Sequence, residues 1–204
     1  MIAGVAVGRS GGATVVLVPE GAVAGVDTRG APRGTRELDL LDPSNLVQQV
    51  HAVCVPSGGT RGLAAADGVV RWLAERNHGF PVGAEPHQVV PLVPAAVVFD
   101  GEPSTSEDGY AACTASVEVG ATARVGEHTI GGFALAGVGI VVTDAVLTKA
   151  QCRRIAISAH DGLVRAGHRG PATVFALATG RRELASPFEL DQLATTATDL
   201  LDPV

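Results

Sequence analysis

Three side chains able to attack a carbonyl group lie within one short stretch of the sequence. Cys54 ends an apolar run, and Ser57 and Thr60 follow in the glycine-rich loop after it. A hydroxyl or thiol becomes an effective nucleophile when an adjacent base takes its proton. These residues are therefore candidate nucleophiles for amide or ester hydrolysis or for acyl transfer. For Cys54 the more common interpretation is a buried, inert thiol.

The same loop also has the composition of a site for an anion or another small ligand. Backbone amides at the start of a helix, together with one arginine, would bind a negatively charged group. A tight strand-to-helix turn, in which glycine supplies the positive φ angle, explains the same residues more simply. No phosphate-loop pattern is present, so both interpretations stay open for the candidate ligand-binding residues Ser57, Gly58, Gly59, Thr60 and Arg61.

Other polar residues favour structural roles. His160 and Asp161 are adjacent on a predicted helix, where neighbouring residues point in different directions, so they do not form a metal-binding pair. Lys149 is predicted on a helix surface. Because the cysteines are widely spaced and form no CxxC or Cys/His cluster, we predict neither a metal site nor a disulfide framework, and no cofactor. The cysteines are Cys54, Cys113 and Cys152.

The densest charge cluster lies in the polar stretch from Asp27 to Asp42. An ion-pair network that holds a long non-regular segment explains this cluster, and a subunit or ligand interface is the alternative. Its members are Arg29, Arg33, Arg36, Glu37, Asp39 and Asp42.

Length and composition indicate a single domain over residues 1–204 with an aliphatic core. The chain has 204 residues, of which 46% are hydrophobic and 3% aromatic. The net charge of −6 and the lack of a basic patch argue against nucleic acid as a partner. The longest apolar run, Phe133 to Val142, is about half of the roughly twenty residues that a membrane span needs. No basic segment of the kind that begins a signal peptide is visible, so we expect a cytoplasmic protein with reduced thiols.

Strands and helices alternate along the chain, which predicts a layered α/β domain. Apolar runs predict buried strands, and helical spacing or capping signals predict helices. The predicted strands are Ala13 to Pro19 with Ala22 to Val26 as its extension or partner, His51 to Val55, Phe133 to Thr143 and Thr173 to Ala178. The predicted helices begin at Asp42, Leu63, Thr148 and Ser186, and the first ends at Gln49. Asp100 to Asp108 is predicted to be a mobile surface loop.

Five stretches of the sequence resemble, in the same order, the P1 family of self-cleaving aminopeptidases (DmpA/ArgJ-like, peptidase S58). The resemblance implies a layered αββα sandwich with mixed sheets, of the DmpA/ornithine-acetyltransferase type. It also implies one self-cleavage, which exposes a Ser or Thr nucleophile whose own free amine is the base, and a multimeric assembly. The stretches are GVDTRGAPRGTRELDLLDP (Gly25 to Pro43), SGGTRGLAAADGVVRWL (Ser57 to Leu73), VPLVPAAVVFD (Val90 to Asp100), TDAVLTKAQCRRIAISAHDGL (Thr143 to Leu163) and TVFALATG (Thr173 to Gly180).

The sequence departs from that family at the positions of the chemistry. The family's nucleophile position falls at Leu135-Ala136-Gly137, where no side chain can attack a carbonyl. Gly170-Pro171-Ala172 stands where the family commonly carries acidic residues that orient the nucleophile. The aromatic residue that usually precedes Gly62 is missing, and the family's Lys-Gly-Gly stretch and oxyanion-hole Asn are largely absent between Val119 and Ala136.

Two functions follow from this combination. The first is a degenerate P1-family aminopeptidase or amidase homologue, neither self-cleaved nor catalytic by the family route, that acts as a scaffold, regulatory subunit or small-ligand binder. The second is an active aminopeptidase, amide or ester hydrolase, or acyltransferase that uses Cys54, Ser57 or Thr60. As partners we expect further copies of the chain, or a full-length relative in a hetero-oligomer, and a small-molecule or peptide ligand.

Overall fold

The computed structural model describes residues 2–30 and 34–202, so Arg33 of the charge cluster lies outside the described residues. The strands are β1 (Ala6–Ser10), β2 (Ala13–Arg29), β3 (Thr35–Arg36), β4 (Gln49–Val55), β5 (Phe80–Pro81), β6 (Val89–Val90), β7 (Ala95–Ala96), β8 (Val117–Glu118), β9 (Ala123–Val125), β10 (His128–Leu135), β11 (Val138–Ala145) and β12 (Ala172–Arg182). The helices are α1 (Ala64–Ala74), α2 (Ser106–Thr114), α3 (Lys149–Arg165) and α4 (Pro187–Leu200), with 3-10 turns at Leu38–Leu41 and Gly59–Leu63.

Strand β2 is long enough to belong to two sheet layers. Its first half pairs antiparallel with β1 and β4, and its second half pairs antiparallel with β12. The β2–β4 register shifts between Leu17 and Ala22, around Pro19, which has no N–H to donate to the ladder. The two apolar runs predicted in this region are therefore the two arms of one bent strand.

Side chains of the strands alternate between two interfaces, and this alternation builds four layers. In β2, Val15 and Leu17 pack against α1 and α2, whereas Val16 faces a core between the two halves of the sheet. In β12, Phe175 faces the same inter-sheet core, and Val174 packs against α3 and α4. Since β11 and β12 pair in parallel and most other strands pair antiparallel, the sheet is mixed. The αββα sandwich with mixed sheets is confirmed.

The predicted strand Phe133 to Thr143 is wrong as a single element, because the chain reverses within it. Strands β10 and β11 form an antiparallel hairpin in which Leu135 lies opposite Val138. Ala136 and Gly137 make the two-residue turn, with φ angles of 43° and 85°. Positive φ at both positions is the conformation that suits the twist of a tight hairpin. The apolar run hides this turn because both arms are rich in aliphatic residues.

The predicted helix from Asp42 to Gln49 is also wrong. A 3-10 turn, Leu38–Leu41, ends at this point instead. The Asp42 carboxylate accepts the backbone N–H of Ser44 at 2.8 Å, which is a local turn contact. Because aspartate is satisfied within this turn, the Asp-Pro pair starts a loop rather than a helix.

The predicted mobile loop Asp100 to Asp108 is wrong in its last part. Its last three residues begin α2, whose first turn is closed by a reciprocal capping box. The Thr105 N–H donates to Asp108 Oδ2 at 2.7 Å, and the Asp108 N–H donates to Thr105 Oγ1 at 3.2 Å. Ser104, just before the box, is only 1% exposed.

The helix predicted from the capping box at Thr148 is confirmed as α3. Lys149, however, is buried and does not lie on the helix surface as predicted. Its Nζ donates to the carbonyl oxygens of Asn45 at 3.2 Å and Val47 at 2.7 Å, so it ties α3 to the segment before β4. The helix predicted at Ser186 is confirmed as α4, but the Ser186 hydroxyl makes no capping hydrogen bond.

No helix within residues 2–30 and 34–202 has the length and apolar character that crossing a bilayer requires. Within the same ranges, the His, Cys, Asp and Glu side chains form no group of three or more arranged to hold a metal ion.

Candidate functional site

A cleft of about 470 Å³ opens where the tips of two hairpins meet the loop after β4. The β1–β2 turn and the β10–β11 turn form two of its walls, and the loop after β7 forms another. We call it the hairpin cleft. It is lined by Gly11, Gly12, Thr14, Val55, Ser57, Val98, Asp100, Gly101, Glu102, Leu135 and Ala136.

The β10–β11 turn contributes no reactive group to this cleft. Ala136 lines the cleft with a methyl group, and Gly137 has no side chain. The carbonyl oxygen of Gly137 accepts the N–H of Thr173 at 3.0 Å, which fixes the turn to the start of β12. The residues predicted from the sequence to stand at the family's nucleophile position thus form a hairpin turn without a hydroxyl or thiol.

Ser57 is the candidate nucleophile that lines the cleft. Its hydroxyl donates to the carbonyl oxygen of Glu102 at 2.6 Å and lies 3.2 Å from the hydroxyl of Ser104. The Ser57 N–H donates to Ser104 Oγ, which in turn donates to the carbonyl oxygen of Gly11. A peptide carbonyl is not a base that removes a hydroxyl proton, so these contacts join three loops without activating Ser57.

The other two candidate nucleophiles do not line the cleft. Cys54 lies on the face of β4 opposite to that of Val55, which lines the cleft. It is part of the core between the sheet and helices α1 and α2. Burial raises the pKa of the Cys54 thiol to about 12, and the nearby Cys113 adds to this effect. Thr60 is exposed in the 3-10 turn that precedes α1. The structure therefore separates three residues that the sequence places together.

The amides of the proposed anion site are engaged in the backbone. Gly58 and Gly59 both have positive φ angles, 78° and 68°. The Gly58 N–H donates to the carbonyl oxygen of Asp100 at 2.9 Å, and the Gly59 N–H donates to that of Val98 at 3.1 Å. Because these two donors are already paired, the geometry favours the tight-turn interpretation of the loop. Arg61 is exposed and does not line the hairpin cleft.

The charge of the hairpin cleft is negative. Asp100 and Glu102 line it, and no Lys or Arg within residues 2–30 and 34–202 does so. Clefts lined by one sign of charge raise the local concentration of ligands of opposite sign. The cleft therefore favours a ligand with a positive group, and Ser57, Thr14 and the adjacent backbone supply hydrogen-bonding partners.

Ion pairs account for part of the charge cluster. Arg29 Nε lies 2.9 Å from Asp27 Oδ2, and Arg29 Nη1 lies 3.3 Å from Asp161 Oδ1, which links β2 to α3. His160 Nδ1 lies 2.8 Å from the same Asp27 oxygen. His160 and Asp161 thus contact different partners on β2. Arg36 forms a second group with Glu37 and Asp67.

A buried polar cluster behind the β10–β11 hairpin was missed by sequence reasoning. Asp144 accepts the N–H and the hydroxyl of Thr129 at 2.8 and 2.7 Å. His128, 1% exposed, lies between Asp144 Oδ1 at 3.8 Å and Glu189 Oε2 at 3.3 Å. These contacts join β10, β11 and α4. Polar residues at inward positions of adjacent strands were the available signal. Their contacts form only because β10 and β11 pair as a hairpin, and the apolar run gave no indication of that hairpin.

Comparisons with known proteins agree with this architecture. The model of peptidase family S58 matches residues 2–137 and 134–204. An uncharacterized aminopeptidase of Mycobacterium tuberculosis is 35% identical over 255 aligned positions, covering 83% of this chain and 73% of the relative. Among solved structures, a Burkholderia β-aminopeptidase is similar with a TM-score of 0.72 at 16% identity, covering 98% of this chain and 82% of that one. The L-aminopeptidase D-Ala-esterase/amidase of Ochrobactrum anthropi, a variant of the Ntn hydrolase fold, has a TM-score of 0.66 at 15% identity, with the same coverage.

The family match is interrupted at one structural feature. Its two parts meet at residues 134–137, which include the β10–β11 turn. The alignment with the mycobacterial relative extends over 255 positions, more than the 204 residues of this chain, so the relative has residues with no counterpart here. The break in the family pattern thus coincides with the inert wall of the hairpin cleft.

Proposed function

Because the chain belongs to peptidase family S58, we propose that it is a non-catalytic member that stays in one piece and binds a small ligand in the hairpin cleft. The observation that carries this proposal is the Ala136-Gly137 turn. It lacks any hydroxyl or thiol and lies where the two parts of the family match meet, which supports the sequence-based assignment of the family's nucleophile position to these residues. Without a nucleophile, neither self-cleavage nor an acyl-enzyme by the family route is possible.

A ligand with a free amino group fits the cleft best. The carboxylates of Asp100 and Glu102 provide acceptors for an ammonium group, and charge-assisted hydrogen bonds are the stronger kind. The relatives are aminopeptidases by name. A short peptide or aminoacyl amide, bound by its amino end and left uncleaved, is therefore the ligand class that we propose.

Intact mass and binding together test this function. The purified protein should have one mass, near 20.6 kDa, and should hydrolyse none of a panel of aminoacyl amides and esters. L-Alaninamide should bind in a calorimetric titration, and N-acetyl-L-alaninamide, which lacks the amine, should bind at least about tenfold more weakly. The double variant Asp100→Asn/Glu102→Gln should lose most of this binding.

Glu183→Gln is the matched control, because it removes an exposed carboxylate away from the cleft. It should bind L-alaninamide as the unchanged protein does. Two fragments that sum to the full mass, or turnover of any substrate in the panel, would disprove the non-catalytic proposal. Equal binding by the double variant would disprove the placement of the ligand.

A rebuilt hydrolase is the second candidate, and the position of Ser57 in the hairpin cleft favours it. In that case Ser57→Ala should abolish the turnover of aminoacyl esters. Cys54→Ala and Thr60→Ala should leave turnover unchanged, since neither residue lines the cleft. If all three variants retain equal turnover, none of these residues is the nucleophile.

A further inference from the structure

A second cavity, of about 210 Å³, lies at the end of β4 opposite the hairpin cleft. It opens at the bend of β2, where the β2–β4 register shifts, and we call it the bend cavity. The end of α1 and the short β5–β6 ribbon complete its walls. The lining residues relevant here are Glu20, Gln49, His51, Asn77, His78 and Phe80.

His51 supplies an unsatisfied donor to this cavity. The Leu92 N–H donates to His51 Nδ1 at 3.2 Å, so the neutral ring carries its proton on Nε2. Burial lowers the pKa of His51, and the nearby His78 lowers it further, which keeps the ring neutral. Within residues 2–30 and 34–202, no hydrogen-bond partner contacts Nε2. His51 is 6% exposed and lines the cavity, so its ring would contact a ligand bound there.

Glu20 brings a negative charge to this cavity. Its carboxylate is 77% exposed and lies 3.7 Å from His78 Nδ1 at the cavity wall. Asn77 follows α1 in the left-handed conformation, with a φ angle of 60°, and also lines the cavity. The residues of the bend cavity thus include two imidazoles, two side-chain amides and one carboxylate.

Size and the apolar wall limit the occupant. A cavity of about 210 Å³ is smaller than the roughly 300–1,000 Å³ of sites for drug-sized ligands. Phe80, Pro19 and Pro81 form its apolar side. A molecule of a few heavy atoms, charged at one end and aliphatic at the other, matches these dimensions.

We propose that the bend cavity binds a free amino acid with an aliphatic side chain. The amino acid carboxylate would accept from His51 Nε2–H and His78, its ammonium group would donate to Glu20, and its side chain would contact Phe80. This site is separate from the hairpin cleft and does not depend on the function proposed for that cleft. The two sites lie at opposite ends of β4.

Calorimetric titration with L-leucine tests the bend cavity. To exclude binding in the hairpin cleft, the titration uses the variant Asp100→Asn/Glu102→Gln. In it L-leucine should bind, whereas L-leucinamide, without the carboxylate, and N-acetyl-L-leucine, without the amine, should each bind at least about tenfold more weakly. His51→Asn keeps an acceptor for the Leu92 N–H but removes the Nε2 donor, and it should weaken L-leucine binding about tenfold or more. Glu20→Gln, on an exposed side chain, should have a similar effect.

His87→Asn and Glu85→Gln are matched controls on exposed residues of the β5–β6 ribbon that do not line the cavity, and they should bind L-leucine normally. The hairpin-cleft variant Asp100→Asn/Glu102→Gln should also bind it normally. Absence of L-leucine binding to the unchanged protein would overturn the proposal. So would binding that survives Glu20→Gln and His51→Asn but is lost in the hairpin-cleft variant.

Discussion

At the scale of residues, the turn formed by Ala136 and Gly137 brings no hydroxyl or thiol to the hairpin cleft. The turn closes the hairpin where the family match breaks, and its methyl group forms part of a cavity wall. Asp100, Glu102 and Ser57 line the same cleft. In the function that we propose, the two carboxylates bind the ligand, whereas catalysis would need a nucleophile as well, so binding does not require catalysis.

Restoring a hydroxyl at the turn should not restore chemistry. Ala136→Thr supplies a hydroxyl, but the segment Gly170-Pro171-Ala172 still lacks the carboxylates that orient the nucleophile in the resembling family. We expect the variant to stay at one mass over days of incubation and to hydrolyse no aminoacyl ester. Appearance of two fragments would show that the rest of the site is intact.

The thiols should be unreactive in the folded protein. Cys54, Cys113 and Cys152 are buried, and burial raises the pKa of each to about 12. Since the thiolate is the reactive form, a disulfide reagent at pH 8 should label none of them rapidly, and should label three per chain in urea. Rapid labelling of Cys54 in the native protein would make it a candidate nucleophile again.

At the scale of elements, helix starts differ in how they are satisfied. The hydroxyls of Thr105 and Thr148 each accept an N–H of the first turn, whereas that of Ser186 makes no such contact. At α4, Glu189 accepts the N–H of Ala185 at 2.7 Å instead. The same capping-box sequence therefore forms a stabilising side-chain hydrogen bond at the start of α3 but not at the start of α4.

Three alanine substitutions measure this difference. Thr105→Ala and Thr148→Ala should each lower the free energy of unfolding by about 1 kcal/mol. Ser186→Ala, the matched control, should lower it by only a few tenths, because no capping hydrogen bond is lost. Urea denaturation followed by circular dichroism provides the values. Equal losses at all three positions would mean that side-chain capping does not decide the stability of these helices.

The elements also show what the sequence could predict. Local signals located α3, α4 and the strands around Ala13, His51 and Thr173, because periodicity and capping depend on neighbours in the chain. The β10–β11 turn was missed because Ala136 adopts a positive φ angle, which its residue type rarely signals. The cleft walls come from four distant segments, so only the fold shows that Ser57 faces Ala136 and that Cys54 does not.

At the scale of the whole molecule, the burial of three thiols in the core determines how the stability of the fold changes at alkaline pH. Three thiols, with an ordinary pKa of 9.0, have a pKa of about 12 when folded. Above about pH 9 the unfolded chain releases these protons and the folded chain keeps them, so stability falls as pH rises towards 12. The ionisation of each thiol should lower the free energy of unfolding by about 1.4 kcal/mol between pH 8 and pH 10.

Cys152→Ala isolates one of these thiols. Its difference in unfolding free energy between pH 8 and pH 10 should be smaller than that of the unchanged protein by about 1.4 kcal/mol. Urea titrations of both proteins at the two pH values give this comparison, and other alkaline groups cancel in it. An identical pH dependence would show that Cys152 ionises equally in the folded and unfolded states.

The bend in β2 has a consequence for how the chain is assembled during synthesis. The first half of β2 finds its partners, β1 and β4, within the first 55 residues. The second half pairs with β12, which begins at Ala172. Until the last part of the chain leaves the ribosome, residues 24–29 of β2 therefore present an unpaired edge. We expect truncated translation products that end before β12 to aggregate or to bind chaperones. In chains that include β12, this strand pairs with residues 24–29 of β2, and we expect no such aggregation.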